Sequence, residues 1–349
     1  MQTRLCRLYG KQDIRIETDR VALPGAGEVV VAIGAGGICG SDLHYYQDGG
    51  FGPIRVREPI VLGHEVAGTV LSVGKGAGNI KEGDRVALNP SRACGSCKYC
   101  ETGLFQHCLH MRFFGSALRF PHEQGAFRDK MVVRAAQCEK ISAGTTLAEA
   151  ACAEPLAVCL HARSRAGQLR GKRVLITGAG PIGVLCAALA GEAGAAEVVV
   201  TDLQNIPLTV ASEMGATRTI NVLEQAEAMD PYFADKGYFD VVFECSAAAP
   251  AIRTAVEAVR PLGTIVQVGV AGDTLMPVNL LVGKEINLCG THRFHAEFAE
   301  AVTLIDNRVV DVRPMITGTY PVEQVQSAFE IAGDRTQAVK VQLSFAGAG

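Results

Sequence analysis

The sequence has no long run of basic residues and little net charge, −3 from 33 basic and 36 acidic side chains. A nucleic-acid partner therefore has no electrostatic support. No apolar stretch reads as a membrane span: the most apolar one, Gly183 to Val200, is interrupted by Glu192 and Glu197. The opening residues Met1 to Cys6 carry no apolar signal core, so a soluble cytoplasmic protein is expected. Internal repeats and low-complexity segments are also missing. Cysteine, at 12 in 349 residues, is too sparse and too unevenly spaced for a secreted disulfide scaffold.

The length suits one large domain or two ordinary ones, and a 48% apolar content is enough to fill substantial cores. Residues from 1 to about 150 read as an all-β segment, with short branched runs such as Val29 to Ile33 and Val66 to Val70 broken by glycine. Near Glu154 the rhythm changes. Strands are expected at Arg173 to Thr177, Glu197 to Thr201, Asp240 to Glu244, Thr264 to Val268 and Ile286 to Cys289. Helices are expected between them, at Ile182 to Ala193, Leu208 to Met214 and Ala251 to Val259. Such alternation predicts an α/β unit with a parallel sheet. After about residue 292 the pattern is mixed again and reads as a return to the first domain.

One strand leads directly into Gly178-Ala179-Gly180-Pro181-Ile182-Gly183. On its own a G-x-G-x-x-G string is weak, but here a strand precedes it and a helix follows. Gly178 makes the tight turn, Gly180 lets backbone approach a pyrophosphate, and Gly183 permits close helix packing, while Pro181 and Ile182 open a helix whose free N–H groups attract anions. Asp202, 24 residues after Gly178 at the end of the next strand, is placed to hold ribose hydroxyls. Val268, closing a later strand, is expected to join the coenzyme contacts. Residues Leu203 to Leu208 hold no cation, so a 2′-phosphate would meet Asp202 unrelieved and NAD is expected over NADP.

Four of the cysteines fall within 15 residues, Cys94, Cys97, Cys100 and Cys108, spaced C-x2-C-x2-C-x7-C. Four thiolates on a short loop can close a tetrahedron around Zn²⁺ with no open position, a structural site. An iron–sulfur cluster is the alternative, without any redox-partner region to accompany it. A dispersed set is less telling. Cys39, His64, Glu65 and Glu154 taken singly read equally as a core thiol, a satisfied histidine and helix-capping acids.

Together these strings carry a resemblance. Gly37-Ile38-Cys39-Gly40-Ser41-Asp42-Leu43-His44, Leu62-Gly63-His64-Glu65, the four-cysteine loop, Glu154-Pro155-Leu156 and the glycine turn are similar to the zinc-containing medium-chain alcohol and polyol dehydrogenases over essentially the whole chain. Glu154 stands where the alcohol dehydrogenases place a cysteine, which resembles the polyol branch. His44 to Gln47, Met111 to Ala117 and Gly333 to Ala338 resemble the aldonate-oxidising members of that branch.

The resemblance implies a GroES-like β-rich catalytic domain over 1–153, completed by 293–349, around a Rossmann doubly wound domain over 154–292. It implies two zinc ions per chain. Cys39, His64 and Glu65 would hold the catalytic one, with Glu154 a ligand or one water away and the two glutamates able to exchange. An open position on that ion would polarise an alcohol oxygen, and hydride would pass to the nicotinamide. Ser41 would carry off the proton and His44 continue the relay. Arg293 matches a substrate-contacting arginine of the polyol branch, Arg112 and Arg119 are candidates for a carboxylate, and Tyr45 is a candidate pocket wall. The expected reaction is L-idonate to 5-ketogluconate. Sorbitol-, xylitol- or threonine-type oxidation is the alternative, and a non-catalytic dinucleotide-binding protein is the alternative of another class. The family also implies a homodimer or homotetramer.

Overall fold

Residues 1–270 and 272–345 are described by a computed structural model. Two large sheets organise the chain. The axis of the first, seven-stranded sheet is Glu28–Gly37, whose branched run Val29-Val30-Val31-Ala32-Ile33 is buried throughout. Glu65–Val73 pairs with it antiparallel on one side. On the other side Lys130–Arg134 pairs with its beginning and Lys340–Ser344 with its end. The tail thus closes a sheet begun more than 300 residues earlier, and Ile316–Pro321 extends that sheet in parallel.

The first 150 residues are not purely strand, which corrects the all-β expectation. A helix runs over Gly40–Asp48, and single helical turns cover Lys98–Glu101 and Leu147–Ala150. The first of these has no apolar stripe at helical spacing to announce it. Its start is set by polar chemistry instead: the Cys39 N–H donates to Asp42 Oδ2 at 3.1 Å, the reciprocal half of a capping box.

The second sheet has six strands, all parallel. Their order is Arg218–Asn221, Glu197–Asp202, Arg173–Thr177, Phe239–Glu244, Val259–Gln267, Asn287–Gly290. The direction of winding reverses beside Arg173–Thr177, and the crevice at a reversal is where ligands bind in open α/β sheets. The expected strands and helices are found within a few residues; the helices Ala153–Ala166 and Val278–Gly283 were not expected, and neither was the strand Arg218–Asn221. It offers a single apolar side chain, Ile220, and owes its strand form to pairing with Glu197–Asp202.

Between the sheets lies the helix Ala153–Ala166. One continuous apolar cluster runs from Ala35, Ala67 and Ala87 of the first sheet, through Leu156 and Leu160 of this helix, to Val174 and Ile176 of the second. Glu154, in the first turn of the helix, is carried into the interior between them. Among the described residues no helix is long and apolar enough to cross a membrane.

Candidate active site

Cys39, His64 and Glu65 meet where three strands end together. Gly37 ends the central strand and is paired with Glu65 on one neighbour and Gln342 on the other. A Cβ at Gly37 would lie 2.2 Å from Glu65 Oε2, so glycine there makes room for the carboxylate. Gly63 has φ +93, and its Cβ would strike the Phe127 ring at 2.2 Å; that turn delivers His64 and Glu65 into the interior. The Cys39 thiol, a His64 ring nitrogen and a Glu65 oxygen all lie within 4.8 Å of one another.

Two groups that are or can become anionic, a thiol and a carboxylate, are thus gathered with an imidazole in a largely buried place. Burial and the Glu65 carboxylate push the Cys39 thiol up to about 12. A divalent cation would reverse that cost, and thiolate, imidazole and carboxylate are zinc donors. The donor set therefore fits the ion. Glu154 stands outside this trio but close to it. Burial drives its carboxyl up to about 8, His64 works against the rise, and Glu65 and Cys39 add to it.

Two residues that hold the trio escaped the sequence reading. Asp42, fully buried, accepts from the Cys39 and Gly63 backbones and lies 3.7 Å from His64 Nδ1. It ties the thiol loop to the histidine turn through two backbone N–H groups and stands beside the ring, where outer carboxylates commonly lie at metal sites. The signal was its position three residues after Cys39. Lys340 donates to both Glu65 oxygens and to the Ile38 carbonyl. Its signal was a lysine within the otherwise strand-like run Val339 to Leu343.

Other expected residues fall variously. Tyr45 is buried, and its hydroxyl accepts from the Ala117 N–H at 3.3 Å. The Arg293 guanidinium lies over the Phe113 ring at 4.6 Å, and that ring lies 5.3 Å from His64. Burial lowers Arg293 from its usual value, against the pull of Glu154 and Tyr45. Ser41, partly buried, is the second residue of the Gly40–Asp48 helix. His44 is exposed and pairs with Asp48 at 3.2 Å. Arg112 is half exposed and bound to Glu123, while Arg119 is spent on the Met111 and Leu109 carbonyls. Neither arginine is left free for a carboxylate.

In the four-cysteine loop, Cys97 and Cys100 sulfurs are 3.6 Å apart, Cys94 and Cys100 3.9 Å, and Cys97 and Cys108 4.0 Å. Four sulfurs at about 2.3 Å from one zinc stand about 3.8 Å from each other in a tetrahedron. The loop is thus shaped for a single ion. Backbone N–H groups of Cys100 and Leu109 lower the Cys97 thiol to about 6, and N–H groups also reach Cys108 from Cys94 and His110.

At the reversal of the second sheet, Gly178 has φ +90, and a Cβ on Gly183 would lie 1.8 Å from the Gly178 carbonyl oxygen. Gly180 caps the helix Pro181–Glu192, with Pro181 at its first position and Ile182 following. Asp202 ends its strand against the turn and accepts from Ala179, Leu203 and Gln204 N–H groups. Val268 follows the Val259–Gln267 strand at the same edge. The turn leaves space that only glycines allow, which fits a dinucleotide pyrophosphate. The expectation that no cation stands near Asp202 is corrected. Arg335, 133 residues further along the chain, places Nη2 at 2.6 Å from Asp202 Oδ2.

A parallel sheet with a glycine turn, joined to a β-rich body with two metal-shaped donor sets, defines a zinc-dependent, nucleotide-dependent dehydrogenase. Residues 25–143 match the alcohol dehydrogenase GroES-like domain and residues 181–307 match the zinc-binding dehydrogenase domain. The chain belongs to the zinc-binding alcohol dehydrogenase family, with a GroES-like domain and a Rossmann-type parallel-sheet domain. Among its relatives, L-idonate 5-dehydrogenase (NAD(P)(+)) of Escherichia coli K12 is 43% identical, covering 99% of each chain. Sorbitol dehydrogenase of Bacillus subtilis 168 is 34% identical, covering 93% of this chain and 92% of its own. The crystal structure of the Escherichia coli L-idonate 5-dehydrogenase superposes with a TM-score of 0.94 over 99% of each chain.

Proposed function

We propose that the protein oxidises a secondary alcohol of a sugar acid, L-idonate to 5-ketogluconate foremost. The observation that carries this reading is Arg293. Its guanidinium is largely enclosed on Phe113, beside the metal trio, and makes no ion pair or hydrogen bond among the described residues. A partly buried cation without a protein partner is free to pair with a substrate, and a carboxylate would meet it with two parallel hydrogen bonds. The hydroxyls of a polyol can accept from the same guanidinium, as the polyol branch implies, but they bring no charge to pair with it. The 43% identity to an L-idonate dehydrogenase, against 34% to a sorbitol dehydrogenase, supports the same reading.

Cys39, His64 and Glu65 are the proposed catalytic-zinc ligands, with Glu154 as the proposed alternative to Glu65. The four-cysteine loop is the proposed structural site. When bound, the zinc would supply a Lewis acid for the alcohol oxygen and the nicotinamide a hydride acceptor. The chain's residues do the rest. Asp42 holds the Cys39 and Gly63 backbones and lies beside His64, keeping the two donors together for the metal. Ser41, two residues from Cys39, takes the hydroxyl proton, and His44 passes it to solvent. Arg293 and Tyr45 orient the substrate. The Gly178–Gly183 turn and Asp202 seat the dinucleotide. The catalytic unit comprises 1–153 with 293–349, and the coenzyme unit 154–292.

The reading extends to assembly and setting. Asn287–Gly290 is the terminal strand of the six-stranded sheet and carries the exposed Leu288, and Leu275, Val278 and Val282 just before it in the chain are exposed too. A second copy covering this edge would give a homo-oligomer. Twelve cysteines without a disulfide suit a reducing cytoplasm.

A panel of L-idonate, other aldonates, sorbitol, xylitol and threonine, followed by coenzyme reduction, tests the substrate. L-Idonate should show the highest kcat/KM. A higher value for sorbitol or threonine would overturn the assignment.

A further inference from the structure

Arg335 lies outside the sequence stretch in which a coenzyme-selecting cation is normally sought. It follows the helix Val325–Gly333, in a turn pinned by Asp334, whose carboxylate accepts from the Thr336 N–H at 2.9 Å and hydroxyl at 2.6 Å. Gly333 lies against Gln47, where a Cβ would come within 2.6 Å of the amide nitrogen. The backbone that launches Arg335 is therefore fixed. Its side chain reaches across to the Rossmann unit, where Nη2 meets Asp202 Oδ2 at 2.6 Å.

The same guanidinium also covers the glycine turn. A Cβ at Gly180 would lie 3.8 Å from Arg335 Nη2 and 4.0 Å from its Cζ. A long cationic side chain thus stands at the ribose-holding carboxylate and beside the pyrophosphate turn at once. Asp202 does not need it for satisfaction, because three backbone N–H groups already donate to that carboxylate. Nor is stability a sufficient reason: the arginine is about half exposed, and ion pairs of exposed side chains contribute little.

Facing a dinucleotide, Asp202 alone would accept ribose hydroxyls and repel a 2′-phosphate. With Arg335 on Oδ2, the oxygen that also accepts from the Ala179 N–H, the local charge is offset, and the guanidinium offers further N–H donors in the fork geometry that phosphate matches. We propose that Arg335 is the coenzyme-specificity residue: it leaves Asp202 to bind the 2′-phosphate of NADP, so that one site takes both NAD and NADP. The inference rests on the reading of the Gly178–Gly183 turn as the dinucleotide site.

The test is calorimetric binding of NADH and NADPH to the purified zinc-loaded protein and its Arg335→Gln and Arg335→Lys variants. The pair 5′-ADP and 2′,5′-ADP isolates the 2′-phosphate. Wild type should bind both coenzymes. Arg335→Gln should raise the ratio of the NADPH to the NADH dissociation constant by about tenfold to a hundredfold, and likewise for the ADP pair. Arg335→Lys, which keeps the charge and loses the fork, should fall between. An equal effect on both coenzymes, a larger effect on NADH, or a wild type that binds NADH alone would overturn the proposal. A wild type that binds neither coenzyme would overturn the reading of the turn itself.

Discussion

The Lys340 ammonium holds both Glu65 oxygens, at 2.9 Å and 2.7 Å, and each side chain is only 2% exposed. Burial works against the lysine charge, yet Glu65 and Cys39 more than offset it, and Lys340 is held above its ordinary value. The glutamate proposed as a zinc ligand therefore already has a cation. Metal and lysine share one carboxylate, and the lysine fixes its position before the ion arrives.

Removing that lysine should expose the sharing. Lys340→Met leaves Glu65 buried and unpaired, which costs about 3–5 kcal/mol in the metal-free protein. Zinc supplies the missing positive charge. The rise in melting temperature on adding zinc should therefore be larger for the variant than for wild type. Equal rises would show that Lys340 and the metal do not meet at Glu65.

The structural loop makes a different prediction. Cys97→Ser should remove one zinc per chain and lower the melting temperature or solubility, because a closed four-thiolate site contributes folding free energy. Unchanged melting together with full zinc content would refute it.

Arg293→Ala should weaken the use of a sugar acid more than coenzyme binding. A hydrogen bond to a charged group is worth about 1.5–3 kcal/mol, so kcat/KM should fall about tenfold to a hundredfold. The loss should be smaller for sorbitol, which has no carboxylate. Equal losses on the two substrates would detach Arg293 from the carboxylate.

Acid stability should depend on Asp240. Burial raises its carboxyl, but the Arg173 backbone N–H and the Arg260 and Arg173 side chains outweigh that and hold it at about 2, below the ordinary 3.8. A carboxyl depressed on folding contributes stability that is fully present above its unfolded value and lost as pH falls through the folded one. Wild type should therefore lose melting temperature between about pH 4 and 2. Asp240→Asn should be less stable at neutral pH and lose less over that window. Parallel curves would contradict this.

How far the sequence is legible depends on the range over which a feature is built. The parallel sheet follows from local rhythm, and the four-cysteine site lies within one loop, so both can be read directly. The turn Gly178–Gly183 is likewise local, flanked by its own strand and helix. Cys39, His64 and Glu65 each look ordinary, and only the register that sets Gly37 against Glu65 brings them together. Lys340 and Arg335 come from the far end of the chain, and no spacing rule connects Arg335 with Asp202, 133 residues away. Arg112 fails in the opposite sense: a suggestive string places it beside Glu123, which takes up its charge.

The central claim is that hydride transfer depends on a metal held by Cys39, His64 and Glu65. The most direct measurement is the rate of coenzyme reduction by purified, folded Cys39→Ser with the four-cysteine loop still loaded. The account predicts no detectable reduction with L-idonate or any other substrate that wild type oxidises, alongside an unchanged fold. A rate close to that of wild type would contradict it.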